Sequence, residues 1–377
     1  MSIVRHEIIT RFLLIAVLLS SAAYSQDRAS WQIEVVEKVS EGAAAFTSLV
    51  VDRAGTLHLT YATRNGSDLR YAFRPKHAKR WDTVTVDKNG GAFNSLAIDA
   101  HGWPHVVYNS ASVVGLHYAT WDGEQWQKFV IDPVKTGHQT SMCLDSQGHP
   151  QVSYYREEYS NKRIARNLKY AYFDGTNWYI QTVDYRSGSG RWNAIALDRG
   201  EHPYISYSIG TVGYLGLANQ GNSGWEHTLA ALQESTGKAD SYGASSLVLD
   251  THDEPHLAYI DMSARTVNYS WREVTGWKTE TVDYLSSTGS DSERINLQMD
   301  TNGRPHVVYF DPGLAILKYA YRSDNGWSME TVDFDDAGEF ASLRLDENNQ
   351  PYISYTALAG NQLRIAHRLS RAPDSKK

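Results

Sequence analysis

The sequence predicts an all-β protein: a seven-bladed β-propeller of four-stranded antiparallel blades, with the N-terminal strand completing the last blade. Three features lead there. An aspartate stands nine residues before a tyrosine seven times over: Asp52/Tyr61, Asp99/Tyr108, Asp145/Tyr154, Asp198/Tyr207, Asp250/Tyr259, Asp300/Tyr309 and Asp346/Tyr355. The steps between successive aspartates are 47, 46, 53, 52, 50 and 46 residues, a period typical of propeller blades and other repeat architectures. Each unit also divides into four short runs with apolar residues at every second position, parted by Gly, Pro and Asp-Gly turns.

The second unit shows the plan. Ser95-Leu96-Ala97-Ile98-Asp99 forms strand A, the innermost; the turn His101-Gly102-Trp103-Pro104 leads into strand B, His105-Val106-Val107-Tyr108. Strand C is Leu116-His117-Tyr118-Ala119, the turn is Asp122-Gly123, and strand D runs over 126–132. The strand C pattern returns in Leu69-Arg70-Tyr71-Ala72, Leu168-Lys169-Tyr170-Ala171 and Leu317-Lys318-Tyr319-Ala320. Asp174-Gly175 and Asn325-Gly326 supply C–D turns that need positive φ. Tryptophan opens strand D six times, at Trp81, Trp126, Trp178, Trp225, Trp277 and Trp327, whereas the Asp/Tyr core occurs seven times. The seventh strand C, Leu363-Arg364-Ile365-Ala366, has no strand D after it, and residues 31–37 match 327–333 in length and pattern. The first strand is therefore expected to serve as strand D of blade seven, leaving no open edge.

The repeat resembles those of secreted bacterial seven-bladed β-propellers of the broad BNR or Asp-box-like group, over residues 31–369. The resemblance implies the fold. It also implies a group that includes sialidase-like hydrolases, polysaccharide lyases and lectins. The sialidase Asp box runs Ser-x-Asp-x-Gly-x-Thr-Trp; here glycine follows the aspartate by three, as in Asp99 to Gly102, and a Pro-His pair replaces Thr-Trp.

Residues 1–25 read as a cleaved signal peptide: Arg5 and Arg11, an apolar run over 12–19, then Ala23-Tyr24-Ser25 before Gln26. Residues 26–370 form the propeller, with 31–37 as outer strand of the last blade, and 371–377 read as a disordered tail. The expected location is secreted, periplasmic or extracellular, and the expected state monomeric. The apolar run is too short to span a bilayer. The net charge of −7 argues against nucleic acid as a partner, because no basic excess is present to release phosphate counterions. Cys143 is the only cysteine, so an internal disulfide is excluded.

Most of the 24 tyrosines and 11 tryptophans fall at repeat positions and are assigned to packing. His58, His105, His256 and His306 all lie six residues after the repeat Asp, where other units carry Gln151, Tyr204 and Tyr352. Positions spread around a ring cannot converge on one metal, so they are read as structural. No metal and no cofactor is expected. Asp261 and Asp311 are isolated carboxylates, and calcium takes six to eight oxygens.

What one blade has alone then marks function. Blade three has a long B–C connection over 155–166, with Arg156, Glu157, Glu158, Tyr159, Arg163 and Arg166; Arg186 and Arg191-Trp192-Asn193 follow in the next D–A connection. His138, Arg191, Glu293 and Glu339 each stand seven residues before a repeat Asp and are expected at the channel mouth, with Arg294 beside Glu293. Guanidinium groups suit bidentate capture of carboxylate or sulfate. Arg156, Arg163, Arg186, Trp192, Glu293, Arg294 and Glu339 are therefore the candidate ligand-binding residues for a glycan, an acidic one, or another cell-surface macromolecule. Three functions remain open: a glycan-binding module, a polysaccharide-degrading enzyme, and a protein-interaction scaffold. A lyase would use His138 or Tyr159 as base with Arg191 or Arg156 neutralising the uronate. A glycoside hydrolase, ranked below it, would use paired carboxylates such as Glu293 and Glu339.

Overall fold

The computed structural model describes residues 31–39, 45–63, 68–88, 90–110, 114–134, 136–160, 163–209, 214–221, 223–231, 242–287, 295–334, 338–357 and 361–369. The segment 1–25 expected to be a signal peptide and the tail expected over 371–377 lie outside the described residues. The described chain forms seven four-stranded antiparallel sheets, each following A–B–C–D in chain order except the last. There the strand Trp31–Lys38 pairs with Gln362–Arg368, from Trp31↔Arg368 to Lys38↔Gln362. The ring is thus closed by the N-terminal strand, as the sequence predicts.

Trp31 shows why this strand fits. In four junctions the strand D tryptophan of one blade meets edge-on the strand C tyrosine of the blade before it. These pairs are Trp126–Tyr71, Trp178–Tyr118, Trp225–Tyr170 and Trp327–Tyr269, with centroids 5.3–5.5 Å apart. Trp31 repeats the contact on Tyr319 at 5.3 Å, and its indole N–H donates to Glu330 at 3.1 Å. Edge-to-face packing satisfies both ring quadrupoles while burying large apolar area.

The repeat aspartate builds the A–B turn. Asp99 Oδ1 accepts the backbone N–H of His101 and of Trp103, each at 2.8 Å, and Gly102 adopts φ 82°. A glycine there avoids the Cβ clash of the left-handed region. Burial pushes the Asp99 carboxyl up, but the two amide hydrogen bonds and His105 outweigh it and hold it below its ordinary value. His105 Nδ1 meets the Tyr118 hydroxyl at 2.6 Å, and Nε2 lies 3.5 Å from Asp99. His58 does the same with Tyr71 and Asp52, at 2.6 and 3.2 Å. In blade three Gln151 bridges Asp145 and Tyr170. These side chains tie the turn to strand C, which is the structural role expected of them. Asp261 accepts two turn amides, from Ser263 and Ala264, and Asp311 stands 3.4 Å from Lys318 Nζ; both carboxylates serve local structure.

Between blades, the repeat tyrosine reaches back to an aspartate at the end of the preceding strand D. The bonds are Tyr108–Asp87, Tyr154–Asp132, Tyr207–Asp184, Tyr309–Asp283 and Tyr355–Asp333, at 2.6–2.9 Å. All five tyrosines are fully buried. A charged acceptor buried at a junction needs such donors to offset its desolvation.

Candidate functional site

The B–C and D–A connections share one face. Gly91 N–H donates to Asn109 carbonyl at 3.0 Å, Gly188 to Arg166 at 3.0 Å and Gly338 to Thr356 at 2.8 Å. On that face, blade three departs from expectation. The segment read as a long connection is a continuation of strands Pro150–Ser160 and Arg163–Phe173, paired out to Ser160↔Arg163. Glu157 faces Arg166 in this register, with Nε and Oε1 3.1 Å apart; cross-strand charges of opposite sign favour the extended hairpin. Tyr159 and Arg163 are placed near its tip by backbone pairing.

Blade four breaks the repeat more sharply. Strand C residues paired with the repeat tyrosine are Arg70, His117, Lys169, Asn268, Lys318 and Arg364 in the other blades. In blade four Tyr207 pairs with Gly216. A Cβ on Gly216 would lie 2.9 Å from Tyr207 Cζ, so no larger residue fits without displacing the ring. The Tyr207 ring and Ile209 occupy that space, and beside them lies a cavity of about 500 Å³, lined by Arg186, Ile209, Tyr214, His227 and Leu229 among others.

Its polar groups converge on one hydroxyl. Tyr207 Oη lies 2.9 Å from Asp184, 3.0 Å from His227 Nδ1 and 3.0 Å from Arg186 Nη2. Arg186 also donates to Asp184 through Nε, at 2.9 and 3.0 Å, and through Nη2, at 2.6 Å. Burial pushes the Tyr207 phenol up, and Asp184 adds to the rise. Burial pushes His227 down, with Asp184 opposing and Arg186 reinforcing. Burial would raise Asp184, but the Arg186 hydrogen bonds prevail and hold it low. At neutral pH the cluster is therefore an ion pair, a neutral imidazole and a neutral phenol. Arg186 remains half exposed, and its neighbour Tyr185 is 80% exposed.

The other sequence candidates fall around this cavity or away from it. Arg156 lies 3.4 Å from Asp132 and is mostly covered. The Arg191 guanidinium stands over the Tyr155 ring at 6.0 Å. Glu339 accepts Thr356 Oγ1 on its carbonyl at 3.0 Å, in blade seven, across the ring. Trp192 has φ 56°, gives its carbonyl to Ser245 Oγ at 2.7 Å and packs against the blade-five core. His138 lies in strand Thr136–Leu144 with its side chain outside the description, as are those of Tyr159 and Arg163 and all of Glu293 and Arg294. The mouth of the channel is filled by residues one place later than expected: Phe46 packs between Phe93 and Phe340, with centroids 4.4 and 4.5 Å apart. Phe46, Phe93, Gln139, Trp192 and Phe340 share positive φ, next to register shifts in strand A of four of these blades. A bulge of this kind re-aims the side chains that follow it.

His227 lines the cavity, Tyr207 bonds it and Arg186, Gly216 makes room for the Tyr207 ring, and all three are absent from the sequence candidates. Their signal was in the repeat itself: Leu215-Gly216-Leu217-Ala218 is the one strand C with glycine at its second place.

No family model matches the chain, and no curated protein matches it in sequence. Solved structures do match in fold. An ulvan lyase bound to GlcA(1-4)Rha3S aligns with a TM-score of 0.60 and 13% identity, covering 88% of this chain and 95% of that one. The fucose-specific lectin from Aleuria aurantia aligns at 0.52 and 16%, over 79% and 98%. The NanB sialidase from Streptococcus pneumoniae aligns at 0.51 and 10%, over 89% and 70%. These place the chain in the broad propeller group.

Proposed function

We propose that this protein is exported and binds a polysaccharide bearing carboxylate or sulfate groups across the loop face of blades three and four. The observation behind this reading is the cavity that a half-exposed arginine, Arg186, shares with Tyr214 and His227. Asp184 fixes Arg186 through Nε and Nη2, and Nη1 has no protein partner among the described residues. A guanidinium held this way meets an anion with its rotamer already chosen, which lowers the entropic cost of binding. Tyr185 and Tyr214 offer aromatic faces for sugar rings. Arg156, beside Asp132, Arg191, over the Tyr155 ring, Trp192 and Glu339 are further candidate contacts, and Arg163, Glu293 and Arg294 are candidates on their sequence positions alone. Support also comes from fold neighbours whose names specify a fucose lectin and an ulvan lyase.

The test is affinity electrophoresis of the mature protein in gels cast with acidic or neutral polysaccharides. Retardation by the acidic set, reduced at least tenfold in affinity by Arg186→Gln and by Tyr185→Ala, is expected. Equal mobility in every gel sinks the reading and favours a protein-interaction scaffold.

β-Elimination is a second reading, favoured by Arg186 and His227, which line one cavity and both meet the Tyr207 hydroxyl behind it. A neutral imidazole can take the proton beside the uronate carboxylate while Arg186 neutralises that carboxylate; the glycosidic oxygen then leaves as the double bond forms. His138 or Tyr159, with Arg191, are the alternative group for the same step. Tyr207 itself is a poor base, since burial and Asp184 hold its proton on. Ultraviolet-absorbing unsaturated product, lost in His227→Ala, supports this reading; retention without product excludes it.

A further inference from the structure

The central channel carries a cation that the loop-face cavity does not use. Four residues before the repeat Asp, strand A places Ser48, Ser95, Ser141, Ser246, Asn296 and Ser342, with Ala194 in blade four. Each serine oxygen accepts a backbone N–H from the next blade's strand A. Ser48 takes Leu96, Ser95 takes Met142, Ser141 takes Ile195, Ser246 takes Leu297 and Ser342 takes Leu49, at 3.0–3.2 Å. A hydroxyl that accepts still has a proton to give. None of these five protons has an acceptor among the described residues.

Arg344 projects into the same cavity, whose volume is about 180 Å³. Its equivalents are Val50, Ala97, Cys143, Ala196, Val248 and Gln298, so one blade of seven contributes a charge. Nη1 donates to the Leu343 carbonyl at 2.8 Å and reaches Asn296 Oδ1 at 3.4 Å. Nε and Nη2 have no protein partner, and no carboxylate pairs with the group among the described residues. Enclosure without a counter-charge pushes its pKa down to about 10, which still leaves it cationic at neutral pH. Arg344 is half-buried in the channel wall, and no carboxylate among the described residues offsets its charge. At the loop-face end of the channel Phe46 packs between Phe93 and Phe340.

We infer that the channel binds a small inorganic anion, a halide or a tetrahedral oxyanion, between the Arg344 guanidinium and the ring of serine hydroxyls. Because those serines already join successive blades, the anion stabilises the closed ring. The protein's net charge of −7 gives no general attraction for anions, so the effect is local.

The test is thermal melting of the full chain at fixed ionic strength, with gluconate replaced stepwise by chloride or by phosphate. An anion that binds only the folded ring raises Tm with the logarithm of its concentration. The expected result is such a rise with chloride, phosphate or both, absent in Arg344→Gln. A rise with chloride alone identifies a halide site; one with phosphate alone identifies an oxyanion site. Should Arg344→Gln not fold, Ser95→Ala with Ser246→Ala must weaken the rise, and a bromide-soaked crystal must show anomalous density beside Arg344. Equal melting in all three salts, an undiminished rise in the variants, or a channel empty of bromide overturns the assignment.

Discussion

Blades four and seven make the same junction with their predecessors and neutralise it from different places. In blade seven, Tyr355 donates to Asp333 at 2.7 Å, and Arg364 on strand C donates to the same carboxylate at 2.9 Å. Blade four keeps the tyrosine and the aspartate but has Gly216 where Arg364 would stand. The cation arrives instead from the D–A connection, as Arg186. The charge balance of the junction is preserved, the Tyr207 ring and Ile209 take the side-chain space at Gly216, and Arg186 comes to line a cavity of about 500 Å³. Repetition therefore identifies scaffold, and a compensated departure from it identifies a place where the surface has been opened without loosening the ring.

The largest difference should appear when each blade loses its own feature. Trp31→Ala removes the tryptophan that closes blade seven and should cost about 3–5 kcal/mol, as large aromatic truncations in cores do. Urea unfolding measures it, and glycan affinity per folded molecule should not change. Gly216→Lys gives blade four the residue that blades three and six carry at this place. The new side chain must displace Tyr207, costing about 1–3 kcal/mol as overpacking does, and retardation by polysaccharide should vanish. Stability close to wild type with binding intact would mean that the cavity is not the site.

A smaller contrast comes from the hydroxyl itself. Tyr355→Phe and Tyr207→Phe each remove a bond to a buried carboxylate and should cost about 1.5–3 kcal/mol. Only Tyr207→Phe should also change glycan affinity, because only its hydroxyl holds two residues that line the cavity, Arg186 and His227.

The smallest effect concerns pH and the turns common to both faces of the comparison. Burial pushes His58, His105, His256 and His306 below their ordinary pKa. The unfolded chain then binds more protons as pH falls below about 6.5, so their contribution is full above that value and is lost as pH drops through the folded values. Asp52, Asp99, Asp250 and Asp300 are also held low, and theirs is lost only below about 3.9. Replacing all four histidines with glutamine, the residue of blade three, should flatten stability between pH 7 and 5. An unchanged slope would mean that other groups set it.

The fold was legible because each blade is a local unit whose turn aspartate, buried tyrosine and opening tryptophan recur at fixed spacing. Trp31 could be assigned to blade seven before any coordinates, since it completes a count of six. The site was half legible. Arg186 stood out as a charge peculiar to one connection, but Gly216 is an absence and shows only when strands C are set side by side. The 155–166 segment read as a loop because its charges hide the alternation, and the Glu157–Arg166 pair that extends it depends on register. The packing of Phe46 with Phe93 and Phe340 was not legible, because these residues adopt positive φ without the glycine or asparagine that signals it.

The most direct measurement is thermal melting of the mature protein and of Gly216→Lys across matched acidic and neutral polysaccharides. A ligand of the folded state raises Tm by mass action. Acidic chains should raise it for the natural protein and leave the variant unmoved. A shift of equal size in both proteins, or none in either, would contradict a glycan site in blade four.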